Sequence, residues 1–505
     1  MSNNNINNRW RRNLPNIISL EKKKEDIEKN IEKLEEGDEK VEELKLEIAD
    51  IDNEIERLKI SFDELIASTR EDIKKLYLNS EDDGDWSIAW SGGKDSTTVV
   101  GLVIDMLKEL SPEQRKRKVH VVMSDTTIEN PILETYMHEQ IKKLKKYVVN
   151  SDLPCEVHLV KRELNNSYFY LTLGRGYFLP QRNGKGRWCT ERLKTAPQKK
   201  IMKKINPSYQ LIGVRMSESS KRKNSIKNNI DKSSNNRKVT KSAKNIVSYM
   251  PIIDFTIEDV WEYLQRNKLA WTSTHDVRTL YKEATGECGF TNPKGTEAKA
   301  NVYESCGARF GCWVCPVVLN DRSTETMSNY HDWMKPLTEF RMLQLKVMGE
   351  YKPTRPEGQR KKVRGLVLRE AEKINKKIKE ITKSGHKRDG KRYIDSKGVA
   401  HNDKGATTLE AREYLFNKLI ETEKEVNRLR ELSGLGALKL ISDEEIELIK
   451  KQWSDDRENL PCLITNVNGL PISELDKYIE KMNRLEKNQP IDIDFTGGEF
   501  DGIQY

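Results

Sequence analysis

The chain has 505 residues, with 89 Lys and Arg against 80 Asp and Glu, and is 36% hydrophobic and 33% charged. A length that allows about three domains and a charged fraction above the usual ~25% argue against one compact globule. No window approaches the ~18 uninterrupted apolar residues of a membrane span, and the N-terminus lacks the apolar core of a secretory signal, so a soluble, cytoplasmic chain with no membrane partner is expected.

From Ile27 through Ile31, Leu34, Val41, Leu44, Ile48, Ile51, Ile55, Leu58, Phe62 and Leu65, apolar residues recur at steps of three and four, with one step of seven. That is the period of a coiled-coil seam, broken once at Gly37 and Asp38. The spacing predicts a helical extension over residues 1–80, either a hairpin or one long helix with a partner. It carries no Cys, His or Gly-rich loop and is read as organising an assembly.

At Trp86 the pattern changes. "DWSIAW" (85–90), "KVHVVMSDTT" (118–127), "CEVHLVKR" (155–162) and "YQLIGVRMSES" (209–219) read as strands, separated by helical stretches at 97–110 and 130–148. This alternation predicts an α/β domain over 81–275, a parallel sheet with helices on both faces, whose ligands sit at the carboxyl ends of the strands. A cysteine-bearing region (276–330) and a basic, mostly helical C-terminal domain (331–505) follow, with a turn or hairpin within 383–405.

Basic charge is segregated. Glu218 to Ser248 holds nine Lys or Arg against two acids, and Lys352 to Arg392 holds sixteen against five. The rest of the chain is net acidic, as expected for a surface that meets a polyanion such as DNA. Two solvated segments are the plainer alternative.

Between the first strand and its helix lies "SGGKDST", Ser91 to Thr97. It is not a Walker A sequence. Gly92 and Gly93 allow a tight turn that presents backbone amides to an anion at a helix N-terminus; Ser91, Ser96 and Thr97 add hydroxyls and Lys94 a cation. Asp95 beside a phosphate site suits either orientation of those amides or a share in holding Mg²⁺.

Cys288, Cys306, Cys312 and Cys315 fall within 28 residues, the last two as Cys-Trp-Val-Cys. Four thiolates so placed can ligate a [4Fe-4S] cluster or a tetrahedral zinc, and spacing alone does not choose. Trp313 and Phe310 would shield such a centre. Cys189 stands apart among Arg187, Arg192 and Lys194, cations expected to favour its thiolate. Cys155 and Cys462 read as ordinary buried cysteines.

The loop "SGGKDST" resembles the pyrophosphate loop of ATP pyrophosphatases. With "SDTTIENP" (124–131), "WCTERLKTAP" (188–197), "GVRMSESSKR" (213–222) and "MPIIDFTIEDVWEYL" (250–264), it is similar to the PAPS reductase branch, with an adenine nucleotide alpha hydrolase-like fold. The cysteine stretch and the helical extensions narrow the resemblance to the DndC family, the sulfurtransferase-type component of bacterial DNA phosphorothioation systems. The motifs cover about residues 85–325.

That resemblance implies ATP, with Mg²⁺, on Ser91 to Thr97, Asp125 and Gly213, catalytic roles for Lys94, Asp95, Cys189 and Arg215, and a [4Fe-4S] cluster on the four clustered cysteines. Related reductases use a cysteine pair near position 189 as cluster ligands; the single Cys189 is therefore a persulfide carrier or a ligand. The implied reaction adenylates a DNA backbone phosphate, with a cysteine desulfurase and other phosphorothioation subunits as partners. A PAPS or adenylylsulfate reductase, a tRNA thiolase, or a noncatalytic, nucleotide-switched DNA-binding scaffold are the alternatives.

Overall fold

The computed structural model describes residues 8–34, 39–80, 84–181, 186–216, 239–241, 246–285, 311–317, 321–348, 361–383, 393–394, 400–401, 407–459 and 470–487. The chain divides into two compact units: residues 1–123, 137–159 and 201–277 form the first, and 124–136, 160–200 and 278–505 the second.

In the first unit the seam residues resolve as a hairpin. Helices α1 (Asn8–Ile31) and α2 (Glu39–Lys59) pack on one another, and Ile17, Ile27, Ile51 and Ile55 form the buried centre of the pair. Each helix thus supplies the partner that its narrow apolar stripe requires. Helix α3 (Phe62–Tyr77) follows, opened by a capping box in which Ser61 and Glu64 satisfy each other's backbone amides.

The sheet contains β1 (Trp86–Ala89), β2 (Val119–Asp125), β3 (Cys155–Lys161), β4 (Tyr209–Ile212), β5 (Val239–Lys241) and β6 (Val247–Tyr249), in the order β3-β2-β1-β4-β6-β5. β1 runs parallel to both β2 and β4, β4 runs parallel to β6, and only the edge strand β5 is antiparallel. The four expected strands are present; β5 and β6 were not legible from their short, mixed sequences. Helix α4 (Lys94–Glu109) joins β1 to β2, and α5 (Pro131–Asn150) joins β2 to β3. The chain then returns through α6 (Ala196–Ile205) to lay β4 on the other side of β1. The connections therefore diverge at β1 and β4, the switch point at which open α/β sheets bind ligands. Trp86, Ile88, Val119, Val121 and Leu211 are almost wholly buried in this sheet.

Helix α7 (Ile257–Arg266) is opened by Thr256 in a second capping box, with Asp259. The Asp259 carboxylate, itself fully buried, also receives Arg9 Nε at 3.0 Å and Arg12 Nη2 at 2.5 Å. This ties α1 to the sheet-bearing part of the same unit.

Helix α8 (Thr274–Thr285) runs from the first unit into the second, which is largely helical: α9 (Arg322–Tyr330), α10 (Lys335–Met348), α11 (Lys361–Thr382), α12 (Leu409–Leu432), α13 (Asp443–Asn459) and α14 (Leu475–Glu486). Leu337, Phe340, Ile378, Leu415, Leu419 and Met482 are among its buried residues. Arg412 is buried beside Asp456, with Nη1 to Oδ2 at 2.8 Å. Within the expected turn region, Tyr393–Ile394 and Ala400–His401 pair antiparallel. No helix among the described residues is long and apolar enough to cross a membrane.

Of the two basic blocks, Lys221, Arg222, Lys223, Lys227, Lys232, Arg237, Lys238 and Lys244 lie outside the described residues, as do 352–360. On α11, Lys373 and Lys377 are exposed and paired within their own helix, to Glu370 at 3.3 Å and Glu380 at 2.9 Å.

Candidate nucleotide site and cysteine cluster

The loop after β1 is shaped by its glycines. Gly92 adopts φ +72°, a left-handed conformation that L side chains rarely take, and Gly93 is the extended N-cap of α4 without a side-chain cap. The first turn of α4 therefore keeps backbone amides for an anion, with the positive end of the helix dipole behind them. Hydroxyls brace the turn from within. Ser96 Oγ accepts from Ser91 N at 3.2 Å, lies 3.1 Å from Ser91 Oγ and donates to Gly93 O at 3.1 Å, while Trp90 Nε1 donates to Thr97 Oγ1 at 3.1 Å. Ser96 and Thr97 are thus buried braces, and Ser91 is the exposed hydroxyl of the set.

Two residues after β4 complete the site. A Cβ on Gly213 would stand 2.8 Å from Ser96 N and 2.9 Å from both Asp95 C and Ser96 Cα, so only glycine lets β4 approach the loop backbone this closely. Arg215, buried, donates from Nε to Asp95 Oδ1 at 2.6 Å, and Lys94 Nζ lies 3.2 Å from Asp95 Oδ2. Both Asp95 oxygens are therefore engaged in holding cations beside the amides. This geometry suits the orienting role of Asp95.

Asp125, the last residue of β2, belongs to the second unit. It is buried, accepts from Thr127 N at 2.8 Å and lies 3.8 Å from Lys161 Nζ. Thr127 takes φ +60°, a strained conformation for a β-branched residue, of the kind that collects at functional sites. Glu134, at the start of α5, has its pKa pushed up to about 7 by burial and then by the Asp125 and Glu129 carboxylates.

The second unit also gathers cysteines. Cys312 pairs with Glu129 in an isolated antiparallel bridge, and Trp313 N donates to Ile128 O at 3.1 Å. Cys315 N closes a turn on Cys312 O at 2.9 Å, and Cys315 O accepts from Arg341 Nε at 2.8 Å. Tyr168 holds the turn from the other side, its hydroxyl 3.4 Å from Val314 O and 2.5 Å from Gln344 Nε2. Burial raises the Tyr168 pKa, and the Cys315, Cys189 and Cys312 thiols all reach it electrostatically. Cys189, Cys312 and Cys315 are all free thiols. Trp313 packs against Phe169 and Phe340, and Trp188 stacks on Tyr168 at 5.9 Å. Cys288, Cys306 and Phe310 lie outside the described residues, as does Cys462.

One expectation is corrected. The cations around Cys189 do not leave it a low-pKa thiol: burial, followed by Cys315, raises its pKa, and Arg187 only partly opposes them. Arg192 is drawn away to Asn166 Oδ1 at 2.7 Å and to the face of Tyr177, and Lys194 pairs with Glu129 at 2.9 Å. Cys312 likewise has its pKa raised well above the ordinary value by burial, then by Glu129. Glu129, buried and 4.0 Å from Cys312 Sγ, was not singled out from the sequence, although it lies in the quoted "SDTTIENP".

The parallel sheet with a glycine-built phosphate loop at its switch point defines an α/β nucleotide-binding protein of the pyrophosphate-loop type. Residues 85–318 match the phosphoadenosine phosphosulfate reductase domain family. A stretch of 256 residues is 25% identical to the uncharacterized protein MJ0973 of Methanocaldococcus jannaschii; it takes in 50% of this chain and 47% of that one, so the chain spans about half the length of this relative. Among solved structures, the chain is similar to phosphoadenylyl-sulfate reductase from Candida auris in a phosphate complex (13% identity, 41% of this chain and 86% of that one, TM-score 0.27). It is also similar to the U34-tRNA thiolase NcsA from Methanococcus maripaludis with its [4Fe-4S] cluster (12% identity, 57% and 82%, TM-score 0.27).

Proposed function

We propose that the protein is an ATP-dependent, sulfurtransferase-type enzyme that adenylates an anionic oxygen and readies it for replacement by sulfur, the substrate being a DNA backbone phosphate as in the DndC family. The observation that carries the reading is the loop Ser91 to Thr97, with its open amides and the Arg215–Asp95 pair held against it by Gly213. The amides of the first turn of α4 take phosphate oxygens, and Lys94 and Arg215 offset the charge that grows on pyrophosphate as it leaves. Asp95 is a positioning residue that fixes both cations. A non-bridging oxygen of the substrate attacks the α-phosphorus, the bond to the bridging oxygen breaks, and pyrophosphate departs. The terminal sulfur of a persulfide, supplied by a cysteine desulfurase, then attacks the substrate phosphorus and expels AMP; a second thiolate attacks the carrier sulfur of the resulting S–S–P linkage, which releases the phosphorothioate and leaves a disulfide for an external thiol reductant to reopen.

Cys312 and Cys315, on one turn whose Trp313 packs among aromatic rings, suit a thiolate-held metal centre, with Cys288 and Cys306 as further ligands by sequence. An iron-sulfur cluster bound there would supply sulfur or electron handling, whereas zinc would supply a structural clamp. Cys189, whose thiol feels Cys315, is then either a persulfide carrier beside that centre or a further ligand to it.

The test is pyrophosphate release from ATP by the full chain with duplex DNA or tRNA as acceptor, beside thiol-dependent reduction of phosphoadenosine phosphosulfate. DNA-dependent release that disappears in Ser91→Ala/Asp95→Ala supports the reading. Sulfite formation from phosphoadenosine phosphosulfate without ATP would move the protein to the small-nucleotide reductases, the substrate class in the name of the matched family. No release with any acceptor would leave the loop as a nucleotide switch. For the metal, anaerobic protein is expected to be brown and to bleach in Cys312→Ser; a colourless protein with one zinc refutes the cluster.

A further inference from the structure

Two histidines and a carboxylate meet in the first unit at the end of the sheet opposite the nucleotide loop. His120 is the second residue of β2, paired across the ladder with Ser87 of β1, whereas the loop follows the carboxyl end of β1. Glu156 and His158 are two apart on β3, the neighbour of β2, and so share a face. His120 Nδ1 lies 2.9 Å from His158 Nε2, and Glu156 Oε2 lies 3.7 Å from the first and 3.8 Å from the second. A tetrahedral ion with bonds of ~2.0–2.1 Å places its ligand atoms roughly 3.3 Å apart, so this triangle closes on such an ion with shifts of a few tenths of an ångström.

The surroundings orient the ligands. Asp85 Oδ1 accepts from Lys118 N at 3.0 Å, and its Oδ2 lies 3.3 Å from His120 Nε2. With the His120 proton on Nε2 and shared with Asp85, Nδ1 presents a lone pair to the triangle, the carboxylate–histidine arrangement seen behind metal ligands. His158 presents its own lone pair once its proton sits on Nδ1. Lys118 Nζ pairs at 2.8 Å with Glu156 Oε1, the oxygen that does not face the histidines. His120 is nearly buried at 8% side-chain exposure and Glu156 is open at 47%, so an ion has an entry path and a wet fourth position.

We propose that His120, His158 and Glu156 form a binding site for a zinc-class divalent transition-metal ion that clamps β2 to β3, made by none of the cysteines and requiring neither ATP nor the acceptor.

The experiment titrates Co²⁺ into full-length protein whose thiol centre has first been filled, and compares it with His158→Gln, Glu156→Gln and Asp85→Asn. Wild type is expected to take up one further cobalt ion, with visible d–d absorption and no thiolate charge-transfer band. His158→Gln and Glu156→Gln should each weaken that step at least tenfold, and Asp85→Asn about 10- to 100-fold, as loss of an outer-shell partner does. Zn²⁺ should raise the thermal midpoint of wild type and not that of His158→Gln. Equal uptake by wild type and Glu156→Gln, or a thiolate band on the added ion, overturns the proposal. Glu156→Gln decides if His158→Gln fails to fold, because Gln keeps a carbonyl for Lys118.

Discussion

Gly213→Ala tests the nucleotide site at its tightest point. The new Cβ would meet Ser96 N at 2.8 Å and Asp95 C and Ser96 Cα at 2.9 Å, where ordinary contact begins near 3.4 Å, and the opposing atoms are backbone that no rotamer change removes. The Asp95–Ser96 peptide or the end of β4 must move by roughly 0.6 Å, an overpacking that costs about 1–3 kcal/mol. The displaced peptide carries an amide of the phosphate loop and the carboxylate that sits 2.6 Å from Arg215 Nε. If that cost falls on the nucleotide-competent geometry, affinity for ATP drops about 5- to 150-fold, at tenfold per ~1.4 kcal/mol. Isothermal titration with a non-hydrolysable ATP analogue measures it, with circular dichroism to verify folding. Gly436→Ala, where the added Cβ meets nothing within 4 Å, is the matched control. Binding by Gly213→Ala within twofold of wild type would refute the claim that this approach builds the phosphate site.

Glu134 titrates near 7 instead of its ordinary 4.5, because burial and two neighbouring carboxylates disfavour its charge. The folded-state pKa is raised, so its contribution is complete below about 4.5 and is lost as pH rises through about 7, costing roughly 3 kcal/mol at most at ~1.4 kcal/mol per pH unit. In urea denaturation, Glu134→Gln should unfold later than wild type at pH 8.5 and together with it at pH 4.5; equal midpoints at both would show that Glu134 is ordinary. Asp259→Ala strips buried Arg9 of a carboxylate at 3.0 Å and is expected to destabilise the first unit by about 3–5 kcal/mol, read as early proteolysis of α1; unchanged protease resistance would contradict this. The Cys155 thiol, pushed up to about 12 by burial, should resist iodoacetamide at pH 8 in the folded protein and react after denaturation, and rapid native labelling would contradict that assignment.

The phosphate loop and the sheet class were legible in the linear chain because their determinants are local. A short apolar run, two glycines and a helix-period stretch lie within about 25 residues, and backbone sterics and burial period act over that distance. The α1–α2 hairpin was half legible: the seam predicted helices, but that each had the other as partner was decided by their packing. Distance along the chain hid the rest. Arg215 reaches Asp95 across 120 positions, and Gly213 matters because of an Ser96 amide that no local pattern connects to it. His120 and His158 become neighbours only through the strand order β3-β2, and a one-residue slip would send either to the opposite face. At Cys189 the sequence showed three nearby cations and implied a thiolate, but the tertiary structure turned two of them toward Asn166 and Glu129 and shielded the sulfur. Composition and local pattern determine which elements form and which side chains are at hand; what a side chain faces, and therefore its charge and chemistry, is decided by packing between segments far apart in sequence.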